Sequence, residues 1–317
     1  MVKSSIERKY IFGPVPSRRL GRSLGVDLVP YKTCTFDCIY CDLGRTTHKT
    51  ILRQPFVSPE EIQRELELTL PILEKKPDYI TLSGSGEPTL NENMGEIIHS
   101  IKRITSIPLA VLTNGSLLFI EKVRKDLMEA DVVLPTLDAV NPLTFESVNR
   151  PHLSLKIDEI ISGLIHFHNQ YRGQVWLEIV FCRGFNDEMR EIKKLKEVIE
   201  KIQPDKVQLN TPVRPPAENF AHPLNLKRLE EISTLFGHHS EVISEFAAPM
   251  GDNFESDKDA EIINLIKRRP CTAKDISQAL GLHLDEVVKY LGRLMKEGKV
   301  HYRMHEHLCY YEGILTN

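Results

Sequence analysis

The chain has 317 residues, 41% of them hydrophobic and 27% charged, a globular composition with room for about two domains that speaks against wholesale disorder. A net charge of −3 excludes a chain that is basic throughout, no apolar run reaches the ~18 residues of a membrane span, and the N-terminus lacks the apolar stretch of a secretory signal. Three of the six cysteines crowd into residues 34–41, which favours a metal site in a reducing cytoplasm over a disulfide framework.

The predicted elements alternate: strand 24–29, helix 59–75, strand 79–83, helix 94–104, strand 109–113, helix 117–129, strand 132–137, helix 157–171, strand 175–181, helix 187–202 and strand 206–209. The strands are short and rich in β-branched residues, and most are bounded by Gly, Pro, Asn or Asp. The first helix carries a full start signal, with Ser58 as cap, Pro59 behind it and Glu61 three residues on. Strands alternating with helices imply βαβ crossovers and a parallel sheet, and six units imply an incomplete (β/α)6 barrel over residues 1–250. Residues 251–257 are polar and turn-rich and read as a linker. Residues 258–317 change pattern. Helices at 259–269, 273–280 and 284–297, then strands at 300–303 and 308–312, resemble a winged helix-turn-helix domain.

The segment that carries chemistry is Cys34-Thr-Phe-Asp-Cys38-Ile-Tyr-Cys41. Three thiolates within eight residues can fold around one metal site. A structural zinc takes four protein ligands, and the nearest further donor, His48, does not continue the spacing. Three cysteines on a four-iron cluster leave one iron open to a non-protein ligand.

Cys34, Cys38 and Cys41, with Tyr40 before the last, resemble the signature of the radical S-adenosylmethionine (SAM) superfamily, over about residues 10–245. The resemblance implies a [4Fe–4S] cluster on those cysteines whose open iron chelates SAM. An external one-electron reductant of flavodoxin or ferredoxin type then drives cleavage of SAM to a 5′-deoxyadenosyl radical, which takes hydrogen from a substrate. Ser83-Gly84-Ser85-Gly86-Glu87-Pro88 stands where that superfamily carries a Gly-Gly-Glu-like element. It implies close backbone approach to the SAM amino group at Gly84, Ser85 and Gly86, and an acceptor in Glu87. A plain turn has the same composition. Thr113 and Asn114 end the third strand, and Asp138 follows the fourth, at the strand ends where barrels place their sites; simple turns or a helix cap are the bland alternatives. Glu178 has apolar neighbours that turn it into the lumen, for function or for a salt bridge. Gln208 and Asn210 alternate on the sixth strand and can both face inward. Tyr40, Gly84 to Glu87, Thr113, Asn114, Asp138, Glu178 and Gln208 are thus the candidate cofactor contacts.

Two further segments stand out: 12–25, with Arg18, Arg19 and Arg22, and 208–216, with Asn210 and Arg214. Arginines in a Gly/Ser/Pro loop hold a carboxylate or phosphate bidentately, or pair with surface acids. These segments resemble the Fe–S oxidoreductases near the wyosine-forming tRNA enzymes, the 4-demethylwyosine synthases, though no cysteine precedes Cys34 to hold the second cluster of that group. Cys182, Cys271 and Cys309 are scattered and read as small buried hydrophobes. The resemblance implies an RNA substrate, a tRNA base above all. A protein or peptide substrate, or a redox sensor signalling through the winged helix, are the alternatives.

Residues 258–317 hold ten Lys/Arg against eight Asp/Glu, a weak +2. Lys289, Arg293 and Lys296 share one helix face that suits phosphates or plain solvent. Asp285 and Glu286 in the first turn repel phosphate at the end that usually enters a groove. The module is therefore expected to help capture a macromolecular substrate without taking part in cluster or SAM chemistry.

Overall fold

The computed structural model describes residues 8–73, 75–237, 239–243, 258–282 and 284–314; the expected linker lies outside them. In chain order the elements are β1 (Ile11–Ser17), β2 (Gly21–Val26), β3 (Thr33–Cys34), β4 (His48–Lys49), α1 (Pro59–Thr69), β5 (Tyr79–Leu82), α2 (Met94–Ile104), β6 (Leu109–Thr113), α3 (Glu121–Asp126), β7 (Val132–Pro135), α4 (Pro142–Asn149) and α5 (Ile157–Gln170). There follow β8 (Gln174–Val180), α6 (Met189–Ile202), β9 (Lys206–Asn210), α7 (Leu226–Phe236) and β10 (Ser240–Val242). The C-terminal segment holds α8 (Lys258–Arg268), β11 (Cys271–Thr272), α9 (Ala273–Leu280), α10 (Leu284–Lys296), β12 (Val300–His305) and β13 (Leu308–Gly313).

The main sheet runs β1-β2-β5-β6-β7-β8-β9-β10. Only β1 is antiparallel to its neighbour; the other seven strands are parallel. Six of those seven are the strands read from the sequence. The order leaves β1 and β10 as edges, consistent with a partial barrel. β1 escaped the sequence reading because Gly13, Pro14 and Pro16 interrupt its pattern; an edge strand tolerates prolines that a central one would not. α1 stops at Thr69, short of 75, because Pro71 lies in the 3-10 turn Leu70–Ile72 that follows.

Alternation along each strand separates two faces. Val175, Leu177 and Ile179 of β8 join the main core beneath the helices, as do Val207 and Leu209 of β9. Trp176 turns the other way and joins Leu20, Ala110, Val132 and Leu134 in a separate cluster that fills the N-terminal end of the lumen. By the same alternation Glu178 and Asn210 stand on the lumen side, nearer the C-terminal ends of their strands. The barrel is therefore apolar below and polar above.

In the C-terminal segment Thr272 caps α9, accepting from Asp275 N at 3.1 Å while the Asp275 carboxylate accepts from Thr272 N at 2.9 Å. β11, β13 and β12 form an antiparallel sheet. Ile262, Leu265 and Ile266 of α8 and Val287, Leu291 and Leu294 of α10 build a second core, and Val15 of β1 belongs to it. The segment is thus packed on the barrel's N-terminal hairpin. Tyr310 donates to Val213 O at 2.6 Å and Arg303 to Pro215 O at 3.1 Å, which extends the seam to the loop after β9. No helix among the described residues is long and apolar enough to cross a membrane.

Candidate active site

The loop with the three cysteines is seated on the end of α4. Asp37 N donates to Asn149 O at 3.0 Å and Ile39 N to Val148 O at 2.9 Å, while Cys41 N closes a turn on Cys38 O at 3.2 Å. Two side-chain amides reach the sulfurs: Asn114 Nδ2 stands 3.6 Å from Cys34 Sγ, and Asn149 Nδ2 stands 3.5 Å from Cys38 Sγ. Burial pushes all three thiols up, Cys34 and Cys41 to about 12. Such sulfurs become thiolates only where a cation replaces the proton, and amide donors are what a sulfur-ligated metal centre calls for. Among the described residues no three His, Cys, Asp or Glu side chains converge on a single ion. A four-iron cluster takes each thiolate on a different iron, so its ligands need not meet at one point, and the donor set fits it.

The loop 83–88 packs directly on the cysteine loop. Lys32 N donates to Ser85 O at 2.6 Å and Glu87 N to Thr33 O at 3.1 Å. A Cβ at Gly86 would stand 1.8 Å from Thr33 O, so only glycine permits this approach. Glu87 is buried and occupied: Oε1 accepts from Thr89 N, Thr89 Oγ1 and Thr113 Oγ1 at 3.1, 2.5 and 2.6 Å, and Oε2 accepts from Asn114 N at 2.7 Å. It ties the end of β5 to the end of β6. Ser85 is held in turn by Asp27, through its backbone N–H at 3.0 Å and its hydroxyl, and Arg268 of α8 donates to the same carboxylate at 2.7 Å.

Asp138 is buried beneath Tyr40. It accepts from the Tyr40 hydroxyl at 2.5 Å, from Asn149 Nδ2 at 2.6 Å and from Val180 N at 2.7 Å. Burial pushes it up to about 6 despite these donors. Its place is behind the wall, as the group that fixes the Tyr40 phenol. Asn149, which joins Asp138 to Cys38, was missed in the sequence. It ends α4, and an asparagine at a helix end has an ordinary local reading.

A cavity of about 330 Å³ opens between the cysteine loop and the lumen. Tyr40, Cys41 and Gly84 border one side, and Glu178, Asn210, Arg18, Arg19 and Arg214 the other, so the two arginine-bearing segments singled out from the sequence meet here. Arg19 Nη1 contacts Glu178 Oε1 at 2.6 Å, and Asn210 Nδ2 donates to the same oxygen at 2.9 Å. Burial raises the Glu178 pKa, but Arg19, Asn210 and Arg18 outweigh it and hold the carboxyl below its usual range. Gln208 does not line the cavity; its amide donates to Glu241 at 2.8 Å. Arg22 stands outside it as well, its backbone N–H on Asp78 at 2.7 Å. Lys289, Arg293 and Lys296 are exposed on α10 and away from the cavity, and Arg293 pairs with Asp259. The C-terminal segment borders the cavity through Leu265, Arg268 and Arg269. No local signal marked those two arginines, which follow Lys267 in an ordinary basic run.

The radical SAM superfamily description matches residues 28–195, the span that holds the cysteine loop and four of the six strands. The chain belongs to the radical SAM superfamily. Enzymes of this superfamily use a [4Fe–4S] cluster and SAM and draw an electron from an external reductant. The chain is 34% identical over 307 residues to a UPF0026 protein of Methanocaldococcus jannaschii, covering 92% of this chain and 94% of that one. It is 36% identical over 301 residues to the GTPase Obg of Brachyspira hyodysenteriae, yet spans only 44% of that protein's length. A probable dual-specificity RNA methyltransferase RlmN of a Thermotoga species is 26% identical over 196 residues, 60% of this chain and 55% of that one. In fold the radical SAM chain is similar to TYW1 with a lysine-pyruvate adduct bound, at a TM-score of 0.52 and 17% identity over 71% of this chain and 75% of that one.

Proposed function

We propose that this radical SAM enzyme holds its cluster on Cys34, Cys38 and Cys41 and acts on a base of an RNA, a tRNA above all. The observation that carries the reading is the wall formed by Arg19, Glu178 and Asn210, which shares one cavity with Cys41 and Tyr40. Guanidinium, carboxylate and carboxamide groups together offer donors and acceptors in planar array. That is the chemistry that reads the edge of a base withdrawn from its stack. The 26% likeness to an RNA methyltransferase supports the same class.

When bound, the cluster and SAM supply the carbon radical that takes hydrogen from the substrate. The chain's own residues supply position and dryness. Gly84 borders the cavity and would offer its backbone to the SAM amino group, Gly86 lets the loop seat on the cysteine loop, and Glu87 fixes that loop to Thr113 and Asn114. Asp138 holds the Tyr40 ring at the cavity edge. The apolar lumen floor around Trp176 keeps water from below. Glu178 stays ionised, so Arg19 and the Asn210 amide keep one orientation.

Residues 258–317 are proposed as a winged helix joined to a barrel of residues 1–250, with α8, α9 and α10 as its helices and the β12–β13 hairpin as its wing. A flavodoxin or ferredoxin is the proposed electron donor. Six unpaired cysteines suit a reducing cytoplasm.

Mass spectrometry of tRNA nucleosides from a deletion strain tests the substrate. Loss of one modified nucleoside, restored by the wild-type gene and not by a Cys38→Ala gene, is the expected outcome. An unchanged nucleoside profile beside a modification lost from a protein would overturn the RNA reading.

A further inference from the structure

Five arginines line the cavity, and their partners differ. Arg19 meets Glu178 at 2.6 Å, Arg268 meets Asp27 at 2.7 Å, and Arg214 lies 3.7 Å from Asp42. The side chains of Arg18 and Arg269 make no hydrogen bond and no ion pair among the described residues, yet both residues are partly buried and both face this cavity. Asp42 and Glu178 are the acids on the cavity wall, and each already has an arginine beside it. A guanidinium held out of water without a counter-charge costs free energy, and a second one nearby adds repulsion. The proximity is felt: burial, then Arg214 and Arg19, lower Arg18 to about 10 against an opposing pull from Glu178, and burial with Arg214 lowers Arg269 against Asp42 and Asp275, none of which is in hydrogen-bond contact with either guanidinium.

The three guanidiniums come from separate parts of the chain. Arg18 lies in the turn after β1, Arg214 in the loop after β9, and Arg269 directly after α8. A planar carboxylate is satisfied by one arginine, bidentately. Convergence from three directions suits an anion with more oxygens and about two charges, which a phosphate monoester or two successive phosphodiesters supply.

We infer that Arg18 of the barrel and Arg269 of the C-terminal segment, with Arg214 beside them, form a composite subsite for phosphate on the substrate. It rests on the reading of the substrate as a nucleotide. The C-terminal segment then completes the substrate site, because without Arg269 the subsite loses one of its two uncompensated charges. The ligand is either a free nucleotide or the phosphate backbone flanking a base in RNA.

The test uses the full-length, cluster-reconstituted protein and calorimetric titration with inorganic phosphate, adenosine, adenosine 5′-monophosphate and a short oligoadenylate. The phosphate-bearing ligands should bind, and Arg18→Gln or Arg269→Gln should weaken them roughly tenfold, the loss of one charge-assisted hydrogen bond. Adenosine should be indifferent to either change. Arg269→Lys should restore part of the affinity as a point charge. Both Gln variants should melt at or above the wild-type temperature, since each removes repulsion, and phosphate should raise the wild-type melting temperature. Oligoadenylate binding tighter than the monophosphate assigns the subsite to RNA backbone. The reverse order keeps the phosphate subsite and removes the RNA reading. Adenosine binding as tightly as its monophosphate would overturn the inference. So would variants that weaken SAM and phosphate alike, because the arginines would then serve the SAM carboxylate.

Discussion

Arg268 joins the C-terminal segment to the loop 83–88 through a single carboxylate, so Arg268→Met is a sharp perturbation. Methionine keeps the length of the side chain and drops its charge. The variant loses the 2.7 Å contact to Asp27, a 3.3 Å bond to Lys9 O and the stacking of the guanidinium 4.4 Å from the Phe12 ring. Asp27 keeps its bonds from Ser85 but no charged partner. Removing one partner of a buried pair costs about 3–5 kcal/mol. The two side chains retain 18% and 9% exposure, so water recovers part of this and about 2–4 kcal/mol is the expected loss. The double variant Arg268→Met with Asp27→Asn strands no charge, and its stability should return to within about 1 kcal/mol of the wild type. Urea unfolding followed by fluorescence of Trp176, the only tryptophan, reads this out from inside the lumen. SAM cleavage should slow in the single variant, because Ser85 is anchored by the same carboxylate. A loss under about 1 kcal/mol, or a double variant as unstable as the two single losses combined, would refute the strut.

Three further outcomes follow from the site. Changing Cys34, Cys38 and Cys41 together to Ala should abolish iron and sulfide uptake and the visible cluster absorbance; a full cluster in that variant would remove these ligands from the reading. Gly86→Ala should cost about 1–3 kcal/mol or more through collision with the Thr33 carbonyl, while Gly292→Ala, with nothing within 4 Å on a helix, should gain about 0.5–1 kcal/mol; equal melting shifts for the two would falsify the close-approach argument. Asp138 has a folded value of about 6, above its unfolded one, so its contribution is present below about pH 4 and is lost as pH rises through 6. Asp138→Asn cannot ionise, so its stability relative to wild type should improve by about 3 kcal/mol between pH 4 and pH 7, and a pH-independent difference would show that Asp138 does not titrate there.

The elements most legible in the sequence were those with one strong period and clear ends. Met94–Ile104 and Leu109–Thr113 match their expected bounds, because both carry apolar residues at regular spacing between polar or proline-bearing boundaries. The cysteine loop was legible from spacing alone. The roles of single polar residues were less so. Glu87 was read as a SAM acceptor, yet its oxygens serve Thr89, Thr113 and Asn114. Gln208 was read as a cofactor contact on the same face as Asn210; it leaves from that face, in register with Glu178, but bonds Glu241 on the neighbouring strand. Strand parity gives the face a side chain leaves from, and it cannot give the partner that meets it there. Asn149 reaches Cys38 across 111 residues as well as the nearer Asp138, and no local pattern encodes that pair.

The placement of the C-terminal segment was the least legible feature, and its cause lies in helix phase. Distance along the chain suggested a module apart from the chemistry. In space, Ile262, Leu265 and Ile266 form the apolar stripe of α8, packed in one cluster with Val15 of the barrel hairpin. Residue 269 falls at i+7 from Ile262 and at i+4 and i+3 from Leu265 and Ile266, so the stripe continues onto an arginine. Pro270 stops the helix just beyond it. Burying the stripe therefore carries Arg269 to the cavity. Arg268, one residue earlier, reaches Asp27 and Lys267 lines the adjacent space near Tyr10. A run of three basic residues reads as solvated surface when it is counted as charge. Read by its angle from the preceding apolar residues, the same run divides into three destinations, one of which is the proposed phosphate subsite.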